Sequence, residues 1–331
     1  MNLLATLVDT VLEILVVPSF TRTGLLVRRR LFGFSDPLAA GTRPLAGRTV
    51  VITGPTSGLG REAAGSLAAM GARVVLVGRD AGRLEATRSA IAASVPGASL
   101  ATVVADMASL PSVRAAAATI LATEPRIDVL VDNAGAIFET RDLTEAGVER
   151  TFATMVLGPF VLTSLLAPRL AASGDGRVIA VTSGGMYTQA LPLDDLMFSR
   201  GTYQGALAYA RAKRAQVALV REWARRFGSR GLVPVSMHPG WADTPGLAAS
   251  LPGFRERMGS QLRSAAEGVD TILWLASAPR AALAAGRLYL DRRVRSYDRV
   301  PSTRLRAADR EALWDQVVAL TGEWPFEGAS G

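Results

Sequence analysis

A tyrosine and a lysine four residues apart are the pair in this chain whose types and spacing most directly suggest proton chemistry. Tyr209 and Lys213 lie in the stretch YARAK, and Lys213 is the only lysine among 37 basic residues. If the segment is helical, the two side chains share one face. A nearby ammonium favours phenolate and lowers the pKa of tyrosine from about 10, so Tyr209 could exchange a proton near neutral pH. Taken alone, a surface helix that contains both residue types is the simpler explanation.

The composition narrows the class of protein. The 331 residues are 49% hydrophobic, which suits one large domain or two small ones. The chain has no cysteine and one histidine, and its carboxylates form no cluster at ligand spacing. We therefore expect no disulfide, no thiol chemistry and no catalytic metal. The net charge of +8 could indicate an anionic partner. The arginines are scattered, however, and we expect no nucleic-acid binding.

The first 20 residues are apolar and predict a helix that Pro18 ends. On a helical wheel one narrow arc holds its polar residues, which are Asn2, Thr6, Asp9, Thr10 and Glu13. The two acids make a membrane span unfavourable, and no convincing signal peptide is present. Arg22 and residues 28–30 supply a basic flank. Residues 1–32 therefore predict a peripheral membrane contact in which the basic flank meets anionic headgroups. Packing on its own domain or on a partner subunit is the alternative.

Strands and helices alternate after residue 47. Apolar runs predict strands, at 48–53, 73–77, 100–105, 127–132, 177–183, 232–238 and 286–290. Helices are predicted between them, among them 145–168, 205–228 and 264–277. Continuous apolar strands that alternate with helices predict an α/β fold, a single doubly wound parallel-sheet (Rossmann) domain with an N-terminal apolar helical extension. Ligands of such sheets bind at the carboxyl ends of the strands.

The stretch 35–47 is rich in proline and glycine and predicts a linker. We therefore divide the chain into an N-terminal amphipathic helix with its basic flank, residues 1–40, and a Rossmann domain, residues 41–331. We expect a cytoplasmic protein, with attachment to the inner face of a membrane left open. A homo-oligomer and a monomer both remain open.

The first predicted strand runs into the glycine-rich loop TGPTSGLG, residues 53–60, and a helix follows. Gly54, Gly58 and Gly60 permit a tight turn and a close approach of the backbone to a pyrophosphate. The helix N-terminus then offers free N–H groups to the phosphates. A glycine pattern at the first strand–helix junction of an alternating fold predicts a dinucleotide site.

The end of the second strand indicates which dinucleotide binds. An acid there would select NAD through the ribose hydroxyls, but the sequence is Val77-Gly78-Arg79-Asp80. Arg79 can pair with a 2′-phosphate, so NADP(H) is favoured and NAD(H) remains an alternative. We expect Asp80 to cap the next helix.

Taken in order, these motifs resemble the short-chain dehydrogenase/reductase family. The pattern is TGxxxGxG, then NAG at 133–135, then Ser183, then YxxxK at 209–213, then PG at 239–240. The resemblance covers about residues 46–290. The stretches TSGGM (182–186) and MHPGWADTPG (237–246) resemble the dehydrogenase/reductase member-twelve branch of that family.

The resemblance implies a reaction and three catalytic residues. Hydride would pass between nicotinamide and the carbonyl or alcohol of a small molecule. Tyr209 would exchange a proton with the substrate oxygen. Lys213 would lower the pKa of Tyr209 and hold the nicotinamide ribose, and Ser183 would orient the carbonyl.

The resemblance also implies cofactor contacts. Asp106 would meet the adenine amino group, Asn133 would fix the end of the fourth strand, and Thr244 would face the carboxamide or the pyrophosphate. Asp106 and Thr244 could instead be ordinary helix caps, and His238 is expected to be structural. The complete predicted cofactor set is Thr53, Gly54, Ser57, Gly58, Leu59, Gly60, Arg79, Asp106, Met107, Asn133, Ala134, Gly135, Tyr209, Lys213, Pro239, Gly240 and Thr244.

The chain departs from the family pattern in two places. Met155 stands where the family usually carries an asparagine whose geometry holds a water that links the lysine to solvent. A thioether is only a weak acceptor, although the main chain of Met155 could still bind that water. Ser183 and Tyr209 are also about twice as far apart as is common, and the insert 191–207 is expected to line a substrate pocket.

Two other functions, a cofactor-binding regulatory protein and an epimerase, are compatible with parts of the sequence. A cofactor-binding regulatory or scaffold protein with little or no turnover is favoured by Met155 and disfavoured by the intact Ser183, Tyr209 and Lys213. A sugar-nucleotide epimerase is disfavoured by the spacing of the glycines. The apolar N-terminus points only weakly to lipophilic substrates.

Overall fold

An eight-stranded sheet forms the centre of the protein. The computed structural model describes residues 3–39 and 42–324. The strands are Thr49–Thr53 (β1), Arg73–Gly78 (β2), Ser99–Val104 (β3), Val129–Asp132 (β4), Gly176–Val181 (β5), Leu232–Met237 (β6), Leu288–Leu290 (β7) and Arg293–Arg295 (β8). Their order is β3-β2-β1-β4-β5-β6-β7-β8. Strands β1 to β7 run parallel, and β8 is antiparallel to β7. The predicted α/β fold with a parallel sheet is confirmed.

Helices cover both faces of the sheet. They are Leu3–Leu15 (α1), Val17–Phe20 (α2), Arg22–Phe32 (α3), Gly58–Ala69 (α4), Ala81–Ser94 (α5), Leu110–Thr123 (α6), Arg150–Phe152 (α7), Gly158–Ala172 (α8), Gly205–Phe227 (α9), Pro245–Ser250 (α10), Pro252–Met258 (α11), Ala265–Ser277 (α12) and Ala307–Thr321 (α13). One apolar core lies under α6, α8, α9 and α13, and the other lies under α4 and α12. Within β1, Val51 faces the first core while Val50 and Ile52 face the second. Burial on both faces explains why the strands read as continuous apolar runs.

A π-helical turn, Ala153–Leu157, joins α7 to α8, so the chain is helical from Arg150 to Ala172. The predicted start at residue 145 is wrong because Glu149 caps this helix, accepting hydrogen bonds from the N–H groups of Thr151 and Phe152. Among the described helices, this is the one that is long and apolar enough to cross a membrane. Most of it is buried inside the protein, as a core helix would be.

Strand β8 and helices α10, α11 and α13 were not predicted, and several strand boundaries moved. Strand β8 and helix α13 follow the last predicted strand. Asp291 and Arg292 turn the chain between β7 and β8 with positive φ angles of 51° and 57°. The fifth strand ends at Val181 and not at residue 183, which leaves Ser183 in the loop beyond it. The last parallel strand begins at Leu288 and not at residue 286.

The N-terminal segment folds back onto the domain as three helices. Pro18 lies in the first turn of α2 and does not simply end a single helix. The predicted acidic arc of α1 faces the protein: Asp9 is only 4% exposed. Arg28 of the predicted basic flank is fully buried and cannot meet headgroups, so the prediction for that residue is wrong. The predicted domain boundary at residues 40 and 41 lies outside the described residues, as do residues 1–2 and 325–331.

Four charged residues form what we call the N-terminal ion cluster: Asp9, Arg28, Arg263 and Asp291. Arg28 donates to Asp9 and to Asp291, each at 2.7 Å, and Arg263 donates to Asp291 at 2.7 Å. Burial by itself raises the pKa of Asp291, but Arg263 and Arg28 hold it below its usual value. Burial likewise opposes the ionisation of Asp9, and Arg295 and Arg28 keep its pKa below the usual value. Every charge in the cluster is therefore matched by a close partner.

The outer face of α1 is apolar. Its exposed side chains, which we call the α1 apolar face, are Leu3, Leu4, Leu7, Val11, Ile14 and Leu15. Because the acids of α1 point inward, this face carries no acidic side chain within Leu3–Leu15.

Candidate active site

A cavity of about 790 Å³ opens at the carboxyl ends of the parallel strands. It is lined by 16 of the 17 predicted cofactor residues and by all three predicted catalytic residues, which include two of those 16; Thr53 lies behind the wall. The structure therefore brings together residues from six separate loops and from helices α4 and α9. Their individual roles remain predictions.

The glycine loop wraps the start of α4, and two of its glycines leave no space for a side chain. Gly54 has a φ of +67°, and a Cβ there would lie 2.9 Å from the Cα of Ala134. A Cβ on Gly60 would lie 2.1 Å from the carbonyl oxygen of Gly54. This bare backbone at a helix N-terminus fits a pyrophosphate.

Thr53 and Asn133 clamp the glycine loop to the end of β4. The Asn133 amide donates to the carbonyls of Thr53 and Gly54 at 3.0 and 3.2 Å. The Thr53 hydroxyl accepts from the N–H groups of Asn133 and Ala134, both at 3.0 Å. Asn133 thus holds the end of β4 against the glycine loop, as the resemblance implies.

Two arginines stand at the β2 end of the cavity. Arg79 and Arg83 both line it and are exposed, and neither forms an ion pair with another described residue. Asp80 accepts from the N–H of Arg83 at 2.9 Å, which confirms the predicted cap of α5. The Asp80 carboxylate, which could have bonded the ribose hydroxyls, therefore already accepts from the backbone. The guanidinium groups of Arg79 and Arg83 remain available to a phosphate.

Asp106 and Thr244 line the cavity while also bonding the backbone. The Asp106 carboxylate accepts from the N–H of Ala108 at 2.9 Å, whereas Ser109 caps α6. Thr244 caps α10 by accepting from the N–H of Leu247 at 3.1 Å. The capping alternative is thus met for Thr244 and not for Asp106. His238 is fully buried, and its Nδ1 accepts from the N–H of Gly240 at 3.3 Å, consistent with a structural role in this turn.

Strand β5 and helix α9 supply the three predicted catalytic residues. Ser183 follows β5, and its Oγ accepts from the N–H of Gly185 at 3.3 Å. Tyr209 and Lys213 lie one turn apart on α9, with the Lys213 ammonium 5.4 Å from the centre of the Tyr209 ring. Lys213 is 2% exposed, and its Nζ donates to the carbonyl oxygen of Val181 at 2.7 Å. The ammonium therefore lies beside the ring and the backbone.

The pKa of Tyr209 departs from the sequence-based expectation. Burial raises it to about 12, and a hydrogen bond from Ser183 is the contribution that lowers it. Lys213 was expected to lower this pKa toward neutrality. Burial instead lowers the pKa of Lys213 to about 7, which weakens the ammonium as a source of positive potential near neutral pH.

Met155 lies in the π turn, fully buried near Lys213, the predicted catalytic lysine. A Cβ on Gly135 would lie 2.9 Å from the Met155 sulfur and 3.4 Å from Lys213 Nζ, so both groups border the same small space. The main-chain carbonyl of Met155 accepts from Gln216 Nε2 at 2.8 Å. That carbonyl was expected to be open to a relay water, and it already has one donor.

The insert 191–207 was predicted to form part of a substrate pocket, and Ala206 is the residue of the insert that lines the cavity. The insert packs near the start of α7, where the Tyr203 hydroxyl donates to Glu149, the cap of that helix, at 3.0 Å. Apolar side chains that the sequence analysis missed also line the cavity. They are Ile137, Phe138, Trp241, Leu247, Leu251 and Phe254. Most of them follow the NAG and PG motifs closely, a signal that could have revealed them.

The N-terminal segment reaches the loops that carry the site. The carbonyl of Phe20 accepts from the N–H of Trp241 at 2.8 Å. The Phe20 ring packs on His238, with ring centres 4.6 Å apart. A Cβ on Gly184 would lie 2.7 Å from that ring. Phe20 therefore supports the loop after β5 and the loop after β6 together.

Comparisons with known proteins agree with this geometry. Residues 48–252 match the short chain dehydrogenase family. The chain is similar to dehydrogenase/reductase SDR family member 12 of Bos taurus, with 42% identity over 249 residues that cover 75% of this chain and 77% of the relative. It is also similar to a Streptomyces sp. (strain C5) protein provisionally named a daunorubicin C-13 ketoreductase. Identity there is 40% over 280 residues, covering 84% of this chain and 94% of the relative.

A solved structure shows the same architecture. It is provisionally named an NAD(P)-dependent gluconate 5-dehydrogenase, from Beutenbergia cavernae, and holds NADP at low occupancy. It superposes with a TM-score of 0.61 and 27% identity, covering 76% of this chain and 96% of that one. The chain belongs to the short-chain dehydrogenase/reductase family, close to its member-twelve branch, and is an NAD(P)-dependent oxidoreductase of carbonyl or alcohol groups.

Proposed function

We propose that this oxidoreductase prefers NADP(H) and acts on a lipophilic carbonyl or alcohol, with Ser183, Tyr209 and Lys213 as its catalytic residues. The observation that carries the proposal is the convergence of these three residues and of Arg79 on one cavity. The volume of about 790 Å³ suits a dinucleotide together with a small molecule.

The residues that line the cavity fit a nicotinamide dinucleotide, and each group of them would have a separate role. When bound, the nicotinamide supplies or accepts the hydride. The bare backbone of Gly54 and Gly60 and the start of α4 hold the pyrophosphate. Tyr209 donates a proton to the carbonyl oxygen during reduction and takes it back during oxidation. Ser183 donates a hydrogen bond to that oxygen and orients it.

The preference for NADP(H) rests on Arg79 and Arg83. Both guanidinium groups are exposed at the β2 end of the cavity, where the adenosine ribose of a dinucleotide lies in this fold. Oδ1 of Asp80 is used as a helix cap, which makes this carboxylate less available to the ribose hydroxyls of NAD. The NADP held by the Beutenbergia cavernae protein supports the same choice. NAD(H) remains the alternative cofactor.

The preference for a lipophilic substrate rests on the cavity wall. Phe138 follows β4, and Trp241, Leu247 and Phe254 follow β6, so two loops present aromatic and aliphatic surface to the same space. Such a wall stabilises an apolar ligand by removing its surface from water.

A turnover screen tests the proposal. Purified protein is given NADPH with lipophilic aldehydes and ketones, and NADPH binding is titrated separately. We expect Tyr209→Phe to abolish turnover with NADPH affinity near wild type. The matched control is Tyr203→Phe, because Tyr203 lies outside the cavity and should keep its activity. NADPH binding without turnover on any substrate would favour the regulatory binding protein, and an active Tyr209→Phe variant would remove the mechanism.

We also propose that residues 1–40 attach the catalytic domain, residues 41–331, to the inner face of a membrane. The α1 apolar face supports this, because exposed leucine and isoleucine on a helix bind the boundary between headgroups and acyl chains. Arg30 is exposed on α3 and could meet anionic headgroups, whereas Arg22 pairs with Glu267 at 2.9 Å. The contact differs from the one predicted from sequence, since Arg28 takes no part in it.

Co-sedimentation with anionic vesicles tests the attachment. The double variant Leu7→Asp/Ile14→Asp changes exposed side chains only and should lose vesicle binding without unfolding. Leu320→Asp, on the exposed surface of α13, is the matched control and should bind like wild type. If wild type binds no vesicles but the double variant alters its oligomeric state, the α1 apolar face is a protein interface instead.

A further inference from the structure

Asp132 is a buried carboxylate next to the active site that no role assigned so far explains. It ends β4 and is 4% exposed. Its Oδ2 accepts from the hydroxyl of Thr163 on α8 at 3.1 Å. Its Oδ1 is buried and has no hydrogen-bond partner among the described residues. The side chain therefore points into the layer between the sheet and the helices that face it.

Lys213 enters the same layer from α9. Asp132 is paired with Ala180 in the neighbouring strand β5, and Lys213 Nζ bonds the carbonyl of the next residue, Val181, at 2.7 Å. The ammonium and the carboxylate are thus held at the carboxyl ends of adjacent strands. We call Asp132 and Lys213 the lysine pair.

Burial is the largest influence on the pKa of each member of the pair, and each also acts on the other through its charge. Burial raises the pKa of Asp132, while Thr163 and Lys213 lower it. Burial lowers the pKa of Lys213, and Asp132 is the one charge among the described residues that raises it. Other elements bring little charge here. Tyr209 on α9 is the titratable neighbour, whereas the groups facing the pair from α8 and the π turn are Thr163 and Met155.

The next charged residue along α9 faces elsewhere. Arg214 follows Lys213 but donates to Asp298 at 2.7 Å. Met155 offers only a thioether sulfur to the lysine, and its carbonyl already accepts from Gln216. Asp132 is consequently the group best placed to stabilise positive charge on Lys213.

We propose that Asp132 is a positioning residue of the proton-transfer site: its carboxylate keeps Lys213 as an ammonium, and the ammonium in turn favours ionisation of Tyr209. The inference rests on the proposed catalytic role of Tyr209 and Lys213. It adds a second step to that role, because a buried amine without an anion nearby would lose its proton. Asp132 touches neither substrate nor cofactor and acts only through Lys213.

The single lysine of the chain makes a direct test practical. Lysine labelled with ¹³C at Cε gives one side-chain signal, that of Lys213, and its shift follows the protonation of the amine in the protein without substrate. We expect Asp132→Asn to move the titration midpoint of Lys213 down by about one pH unit or more. An unchanged midpoint would overturn the proposal, whatever the effect on activity.

Two further variants keep the test decisive. Asp128 is 1% exposed and bonds the N–H of Thr49 just before the opposite end of β4, so Asp128→Asn is a matched loss of a buried carboxylate. It should leave the Lys213 midpoint in place, and an equal shift would sink the proposal. If Asp132→Asn does not fold, Thr163→Val removes the Oδ2 hydrogen bond and should lower the midpoint by a smaller amount; no movement there would also count against it.

Activity gives a second readout. Tyr209 must be ionised to accept a proton during alcohol oxidation, so the rate rises with pH through its pKa. Asp132→Asn weakens the ammonium, disfavours the phenolate and should move the rising limb to higher pH, whereas a purely structural defect lowers the rate equally at every pH. A wild-type protein without turnover would defeat the proposed function, but the Lys213 titration would still decide whether Asp132 controls the lysine.

Discussion

Two of the regions in which the protein buries charge, the N-terminal ion cluster and the lysine pair, differ in how that charge is balanced. In the N-terminal ion cluster, Arg28 has Asp9 and Asp291 at 2.7 Å, and Arg263 also bonds Asp291. In the lysine pair, one carboxylate oxygen has no partner among the described residues, and the ammonium bonds a backbone carbonyl.

The pKa values follow this difference. The pKa of Asp291 lies below its usual value, because its arginine partners outweigh burial. The pKa of Asp132 rises to about 7, because burial outweighs Thr163 and Lys213. In a cluster whose charged groups all have close partners of opposite charge, the charges stay fixed and the cluster contributes to structure. A pair with few partners can still gain or lose a proton near neutral pH, and such a pair can take part in catalysis.

Lys213→Arg, in the lysine pair, should have the largest effect of the substitutions considered, and the effect should be on turnover. It keeps a positive charge but replaces a compact ammonium with a planar guanidinium that does not deprotonate. We expect the turnover rate to fall by about 10²- to 10⁴-fold, the range typical of a lost proton-transfer group, as measured by steady-state kinetics on a folded variant. Arg211→Lys, two residues earlier on the same helix, is the control and should stay active. Turnover of Lys213→Arg within tenfold of wild type would mean that charge alone suffices.

Asp291→Asn tests the other region. It leaves Arg28 and Arg263 buried without their shared carboxylate, which costs about 3–5 kcal/mol of unfolding free energy at pH 7, measured by denaturant unfolding. Because the folded-state pKa of Asp291 is depressed from 3.8, its contribution is present above that pH and is lost as the pH falls through the folded value. The variant and wild type should therefore converge in acid. The exposed pair of Asp243 provides the control Asp243→Asn, which should unfold like wild type.

Arg79→Ala removes a charge that forms no ion pair with another described residue. The loss of a charge-assisted contact of about 1.5–3 kcal/mol should weaken NADPH binding by more than tenfold and barely affect NADH. Titration with both nucleotides measures this, and Arg88→Ala on the exposed side of α5 is the control. Equal losses for the two nucleotides would show that Arg79 does not read the 2′-phosphate.

Met155→Asn should have the smallest effect. If Asp132 supports Lys213, restoring the family's usual residue in the π turn should change the rate only a few fold. A rise of about a hundredfold, equivalent to roughly 2.7 kcal/mol of barrier, would mean that Met155 limits the proton path and that the chain had moved toward a binding role.

The sheet and the cavity could be predicted because both are carried by local signals. Apolar runs gave the parallel strands, and the glycine loop, NAG, YxxxK and PG each mark a strand end or a helix face. Helix α13 and strand β8 were missed: β8 has only three residues, and its pairing depends on the positive φ angles of Asp291 and Arg292. No pattern in the sequence predicts the two left-handed residues that make that hairpin.

Ion pairs between residues that are distant in the sequence could not be predicted either. Asp9 looked like part of a solvent-facing arc, because its partners Arg28 and Arg295 are far away along the chain. The sequence showed Asp132 only as the last residue of a strand, because Lys213 lies far along the chain on helix α9. Which side of α1 faces water followed from those pairings and could not be deduced from the helical wheel alone.

The contact between Phe20 and Gly184 has a consequence for how sequences of this type vary. A methyl group at position 184 would lie 2.7 Å from the phenyl ring, a separation that van der Waals repulsion does not permit. An alanine at 184 therefore requires a smaller side chain at 20, and a large ring at 20 requires glycine at 184. The two positions should co-vary among homologues, which ties the evolution of the loop that carries Ser183 to that of the N-terminal segment.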